Sequence, residues 1–180
     1  FDYREIASRS SRRDPVFTAT KLARSGRHLT SEQVEKFEKR AVDGELSERA
    51  RIRLFGYYEA KGWADSEARK ARARHVLWFV QNRPAAEGLR SHAVRLDPRL
   101  DLPAYVQAKG LWMKYLKESE DNLGIMANAA EMLRYGDSDL CIEILKAAEK
   151  LDPDNGIWAK RLGDSYKFGL STSSLEGRKK

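Results

Sequence analysis

Within residues 151–156, Leu-Asp-Pro-Asp-Asn-Gly, the chain stops one helix and prepares the next. Pro153 cannot donate to a helical ladder and constrains the residue before it, while Asn155 and Gly156 favour the bent backbone of a turn. Turns this short make successive helices pack as close antiparallel neighbours.

The same punctuation recurs upstream. Thr30 followed by Gln33 fits a capping box, and Val34, Phe37 and Ala41 then form one apolar stripe that Asp43-Gly44 ends. Ser47 opens a second helix with Ala50, Leu54, Tyr57 and Tyr58 on one face, and Gly62 closes it. Asp65 or Ser66 caps a third, which carries His75, Leu77, Trp78 and Val80 and stops at Asn82-Arg83-Pro84. Residues 84–102 permit only a short helix around Leu89, Ala93 and Leu96, interrupted by Gly88 and Asp97-Pro98. Pro103 suits the first turn of a helix through Ala108, Leu111, Trp112 and Tyr115. Three more helices are predicted over about 122–134, 139–150 and 156–168, and no segment alternates as a strand does. The fold class is all-α.

A length of 180 residues, 41% hydrophobic and 34% charged, suits one helical domain. The expected boundaries are an extended or mobile basic segment over 1–28, a single repeat domain over 29–170 and a polar tail over 171–180. No apolar run approaches the roughly 20 residues that span a bilayer.

Self-comparison gives a register. A 34-residue unit counted from Asn122 to Asn155 places small residues at Ala129 and Cys141, where two helices approach closely, and Gly136 in the turn. Leu145 and Ala148 follow in its second helix, and Pro153 comes after it. Restarting at Gly156 puts Leu162-Gly163 and Tyr166 at positions 7, 8 and 11.

These residues resemble the tetratricopeptide repeat (TPR), whose pattern is Trp-x2-Leu-Gly-x2-Tyr, then Ala-x3-Phe, then Ala and Pro. The resemblance covers 122–155 and the first helix of the next unit. Within it Trp158 lies one residue early, Asn128-Ala129 stands for Leu-Gly, and Cys141-x3-Leu145 stands for Ala-x3-Phe. Looser matches are Phe55-Gly56 as a first-helix pair, with Trp78 and Pro84 closing its second helix, and Ala108-x3-Trp112 as another second helix. The resemblance implies a right-handed α-α superhelix, a TPR-like solenoid of about three degenerate helix pairs plus a terminal helix. It further implies a non-catalytic scaffold that binds a protein or peptide in a concave groove. In such repeats, positions 5, 9 and 12 or 13 of each first helix line that groove. Here they are Arg53 and Tyr57, then Met126, Ala130 and Arg134, then Lys160, Asp164 and Lys167. Arginine and lysine mixed with tyrosine and methionine suit an acidic or amphipathic segment. The paired asparagines of the family's carboxylate clamp are missing.

The net charge of +7 supports an alternative, a nucleic-acid or anionic-surface binder. Residues 1–28 hold seven cations against three acids, and Arg69, Lys70, Arg72 and Arg74 cluster on a helix, where they also read as a solvated face.

Specific chemistry finds little support. A calcium loop started at Asp152 puts Gly156 at position 5, Ile157 at position 6 and Gly163 at position 12, where ligand, glycine and acid are required. His28, His75 and His92 have no partner at metal-ligand spacing, and His75 reads as a satisfied core histidine. Cys141, the only cysteine, reads as a small buried hydrophobe. No phosphate loop, Gly-x-Ser-x-Gly or His-Glu-x-x-His is present, so no catalytic residue, cofactor or metal is expected. Trp63, Trp78, Trp112 and Trp158 read as core. A lone cysteine is compatible with the cytoplasm and with export after leader removal alike, so the compartment stays open.

Overall fold

The computed structural model of the chain describes residues 15–62 and 64–176, and no strand occurs among them. Among the described residues eight α-helices follow in order. They are α1 (Pro15–Ser25), α2 (Ser31–Val42), α3 (Glu48–Ala60), α4 (Ser66–Asn82), α5 (Leu102–Glu118), α6 (Leu123–Leu133), α7 (Ser138–Leu151) and α8 (Ile157–Glu176).

Local chemistry sets most of the ends. Thr30 Oγ1 accepts from the Gln33 amide at 3.2 Å while Gln33 Oε1 accepts from the Thr30 amide at 3.0 Å, closing the capping box of α2. Ser47, Asp65, Asn122 and Asp137 cap α3, α4, α6 and α7 with one bond each, the side chain accepting from a backbone amide three residues on. Gly44 and Gly62, at φ +77° and +90°, take the left-handed conformation that ends α2 and α3. In the 151–156 turn, Asp152 Oδ2 accepts from Asn155 Nδ2 at 2.9 Å and from Trp158 Nε1 at 3.1 Å. The acid of that turn therefore anchors the next helix.

Two expected boundaries are corrected. Residues 15–25, expected to be extended, form α1, which packs on α3 through Ala19 and Ala23. The packing is at backbone contact. A Cβ added to Gly56 would lie 1.6 Å from the Ala23 carbonyl oxygen, and one added to Gly26 would lie 1.7 Å from that of Arg53. At the other end α8 continues past Gly169 to Glu176, so residues 171–176 of the expected tail are helical. Residues 1–14, Trp63 and residues 177–180 lie outside the described residues.

Residues 84–102 fold as two short 3-10 turns, Glu87–Arg90 and His92–Val94, with Leu89, Ala93 and Leu96 turned into the core. Asn128 of α6 holds this irregular stretch. Its Nδ2 donates to the carbonyls of Pro84 at 2.7 Å and Ala86 at 3.0 Å, and its Oδ1 accepts from Arg90 Nε at 3.3 Å.

One continuous core runs from Ala23 and Phe55 through Phe79, Trp112 and Leu145 to Trp158. A smaller cluster of Leu29, Val34, Leu46 and Leu54 sits beside it, closed by Phe37, Tyr57 and Tyr58. Toward the C-terminus α6 packs on α7 and α7 on α8. Arg161 of α8 reaches back to the Ala127 carbonyl of α6 at 3.2 Å. Among the described residues, no helix is long and apolar enough to cross a membrane.

Candidate functional site

Helix α5 does not bury all of its apolar side chains. Leu102, Val106 and Met113, spaced by four and seven residues on one face, are 56%, 58% and 42% exposed. A cleft opens against each half of this helix.

The first cleft, about 660 Å³, lies between α4 and the start of α5. Ala73, Leu77, Pro103 and Ala104 give it an apolar lining, and Arg69, Lys70, Arg74 and Asp101 give it charge. Those cations are already engaged. Arg74 pairs with Glu38 at 2.7 Å, Lys70 with Glu67 at 2.8 Å, and Arg69 lies 3.6 Å from Asp101. Arg72, the fourth member of the basic cluster, is buried with its Nη2 3.4 Å from Asp101. Burial lowers its pKa, and the Asp101 charge opposes that shift. The 69–74 cluster thus divides: Arg72 is in the core and Arg69 lies largely buried beside Asp101, whereas Lys70 and Arg74, with side chains 73% and 63% exposed, pair with carboxylates at the surface.

The second cleft, about 770 Å³, lies between the end of α5 and α7, with Met126 of α6 lining it between them. Met113 and Leu116 line the α5 side. Leu140, Ile144, Ala147 and Leu151, spaced by four, three and four residues, line the α7 side. Glu120, Asp121 and Glu143 stand at this cleft with Lys150. Among the described residues, none of the three carboxylates is in an ion pair.

A third polar assembly joins α2, α3 and α4. The Glu38 carboxylate accepts from Tyr58 Oη, from His75 Nε2 at 2.8 Å and from Arg74 Nη2 at 2.7 Å. Arg51 Nη1 is 3.1 Å from His75 Nδ1 and its guanidinium stacks 3.9 Å over Trp78. An arginine only donates, so Nδ1 accepts and the ring proton sits on Nε2, facing Glu38. Burial by itself would raise the Glu38 pKa. The bonds from His75 and Tyr58 and the nearby cations outweigh it and hold the carboxyl down to about 2. Burial and the same carboxylate push the Tyr58 phenol up. Glu38, Tyr58 and His75 are satisfied largely by one another, while Arg51 keeps a buried Nε without a hydrogen-bond partner among the described residues; the arrangement suits a structural clasp.

Elsewhere, burial pushes the Cys141 thiol up, and its Sγ lies 3.7 Å from Ser165 Oγ, so the reactive thiolate is disfavoured. No group of three metal-ligating side chains occurs among the described residues.

The residues expected in a first-helix groove are dispersed. The Arg53 guanidinium lies 5.7 Å from the Phe37 ring centre, and Tyr57, packed on the small cluster, meets Tyr58 edge-on at 5.3 Å. Met126 and Ala130 are buried in the main core, Met126 reaching the second cleft. Arg134 Nη2 donates to the Asp164 carbonyl at 3.4 Å, so these two do meet. Lys160 and Lys167 are exposed on α8. Repeat position alone does not point to Glu120, Asp121 or Glu143. A readable signal was the second stripe of α7, 140-144-147-151, beside its core stripe of Cys141, Leu145 and Ala148. No protein-family model, curated protein or solved structure matches the chain.

Proposed function

We propose that the chain is a non-catalytic helical-repeat scaffold that binds a protein or peptide segment. In this reading it is a right-handed TPR-like solenoid of about three degenerate helix pairs plus a terminal helix. The observation that carries the binding function is the exposed apolar ridge of α5, Leu102, Val106 and Met113, beside two clefts with apolar linings. Burying one such side chain is worth about 1.5–3 kcal/mol, and clustered exposure of this kind marks interaction surfaces. The repeat reading is supported by the buried small residues Ala129 and Cys141 and by the α6–α7–α8 packing order. The binding site moves from the expected first-helix groove to the flanks of α5, and of the expected residues only Met126 enters it. The burial of Arg72 and the pairing of Arg69, Lys70 and Arg74 with carboxylates weaken the support that the 69–74 cluster lends a nucleic-acid reading; Arg4, Arg9, Arg12 and Arg13, its other support, lie outside the described residues.

A photo-crosslinking residue at Val106 is expected to capture a protein partner, whereas the same group at exposed Glu35 on α2 is not. Both sites tolerate replacement because neither is buried. Crosslinks to nucleic acid alone, or equal capture from both positions, would sink the reading.

A further inference from the structure

We propose that the α5–α7 cleft receives a cationic amphipathic helix of a protein partner. The inference rests on the reading of the chain as a protein-binding scaffold and adds the chemistry of what is bound.

Shape argues for a helix. The apolar stripe of α7 runs from Leu140 to Leu151, three turns, or roughly 16 Å at the helical rise. Met113 and Leu116 face it from α5, leaving a trough with apolar walls on both sides. A helix that inserts apolar residues at i, i+4 and i+7 matches a trough of that length. Met113 and Met126 are unbranched and polarizable, and they adapt to an incoming side chain better than leucine or isoleucine would.

Charge argues for a cation. Glu120 and Asp121 lie where α5 passes to α6, and Glu143 lies on α7, all three without an ion pair among the described residues. Among the described residues, Lys150 is the only cation lining the cleft. The first cleft differs on this point, because its cations are engaged by Glu38, Glu67 and Asp101. Among the described residues, carboxylates outside any ion pair therefore stand at the second cleft, whereas each cation of the first has a carboxylate partner. Close opposite charges steer encounter and fix the register of an apolar contact.

The net charge of +7 makes the test discriminating. The protein as a whole repels a cationic ligand, so binding of one requires a local acidic site.

The probe is a labelled amphipathic helical peptide of three to five turns, leucine on one face and lysine and arginine beside it. Its twin carries glutamate at every cationic position. Fluorescence anisotropy with the full chain is expected to give at least tenfold tighter binding of the cationic peptide. Combined Glu120→Lys, Asp121→Lys and Glu143→Lys should reverse that order. Met113→Ser, at a half-exposed position, should weaken the cationic peptide about tenfold, with circular dichroism verifying that the helices persist. Equal affinity for the twins, binding of neither, or undiminished binding in the triple variant would overturn the proposal. So would a dimer of the chain that dissociates as the peptide binds, which would assign the cleft to a second copy. Preference for the glutamate twin, lost in Met113→Ser, would overturn the cationic partner and leave protein docking intact. The Val106 crosslink judges protein docking separately.

Discussion

His75 Nε2 lies 2.8 Å from Glu38 Oε1, joining α4 to α2 across 37 residues of chain. Glu38 is held at a pKa of about 2 against an ordinary value of 4.5. A carboxyl depressed in the folded state stabilises the fold fully above its unfolded value and loses that contribution as pH falls through the folded value. The window here is pH 4.5 down to about 2, and the contribution is about 3 kcal/mol from the size of the shift. Urea unfolding of the wild type should show this loss, whereas Glu38→Gln should be less stable at pH 7 and nearly indistinguishable at pH 2. A variant as stable as the wild type at pH 7 would contradict the assignment.

Asn128→Leu tests the clasp on the irregular segment. Leucine is the residue the repeat pattern favours there, so a pure repeat argument predicts stabilisation. Asn128, 1% exposed, instead donates to the carbonyls of Pro84 and Ala86; leucine would take that donor from both, leaving Ala86 only the Leu89 amide at 3.1 Å. The expected loss is about 2–4 kcal/mol in chemical denaturation. Asn128→Asp should be at least as harmful, since it sets an acceptor against two acceptors.

Glycine substitutions should divide by environment. Gly56→Ala places a methyl group against the Ala23 backbone, which cannot yield without moving α1 from α3, and a loss above about 2 kcal/mol is expected. Gly163→Ala on α8 meets no described atom within 4 Å. Helix propensity alone then acts, and a gain of about 0.5–1 kcal/mol should appear as a higher midpoint.

Asp101→Ala removes the carboxylate that faces buried Arg72 and half-buried Arg69. Taking one partner from a buried ion pair is far costlier than losing a surface pair, and a loss of about 3 kcal/mol is expected by thermal or urea unfolding. Lys70→Ala, which removes a surface ion pair with exposed Glu67, should change stability by under about 0.5 kcal/mol. Equal effects from the two variants would mean that Arg72 is not held as described.

Helix ends were legible in the sequence because caps act over three or four residues. Thr30 with Gln33, Ser47, Asp65 and Gly62 each carry their instruction locally. Helix α1 was hidden because the buried residues among its described side chains are Ala19 and Ala23, too small to make a strong apolar stripe; the close approach to Gly56 is a tertiary fact. The fate of Arg72 was equally unreadable, since nothing near it in sequence announces Asp101, 29 residues away. The α5–α7 cleft was half legible. Leu140, Ile144, Ala147 and Leu151 repeat at helical spacing, but only the packing of three helices shows that this stripe lines a cleft.

The departure of Asn128 from the repeat pattern and the irregularity of residues 84–102 are one feature seen from two sides. Arrays of helix pairs unfold piecemeal when each unit touches only its neighbours. Here one amide ties α6 to a chain segment 42 and 44 residues earlier, passing over α5, and that segment in turn packs against α1. The molecule is tied between helices distant in sequence as well as between neighbours. Its two ends should melt together in a single transition, and loosening that one tie should separate them into two.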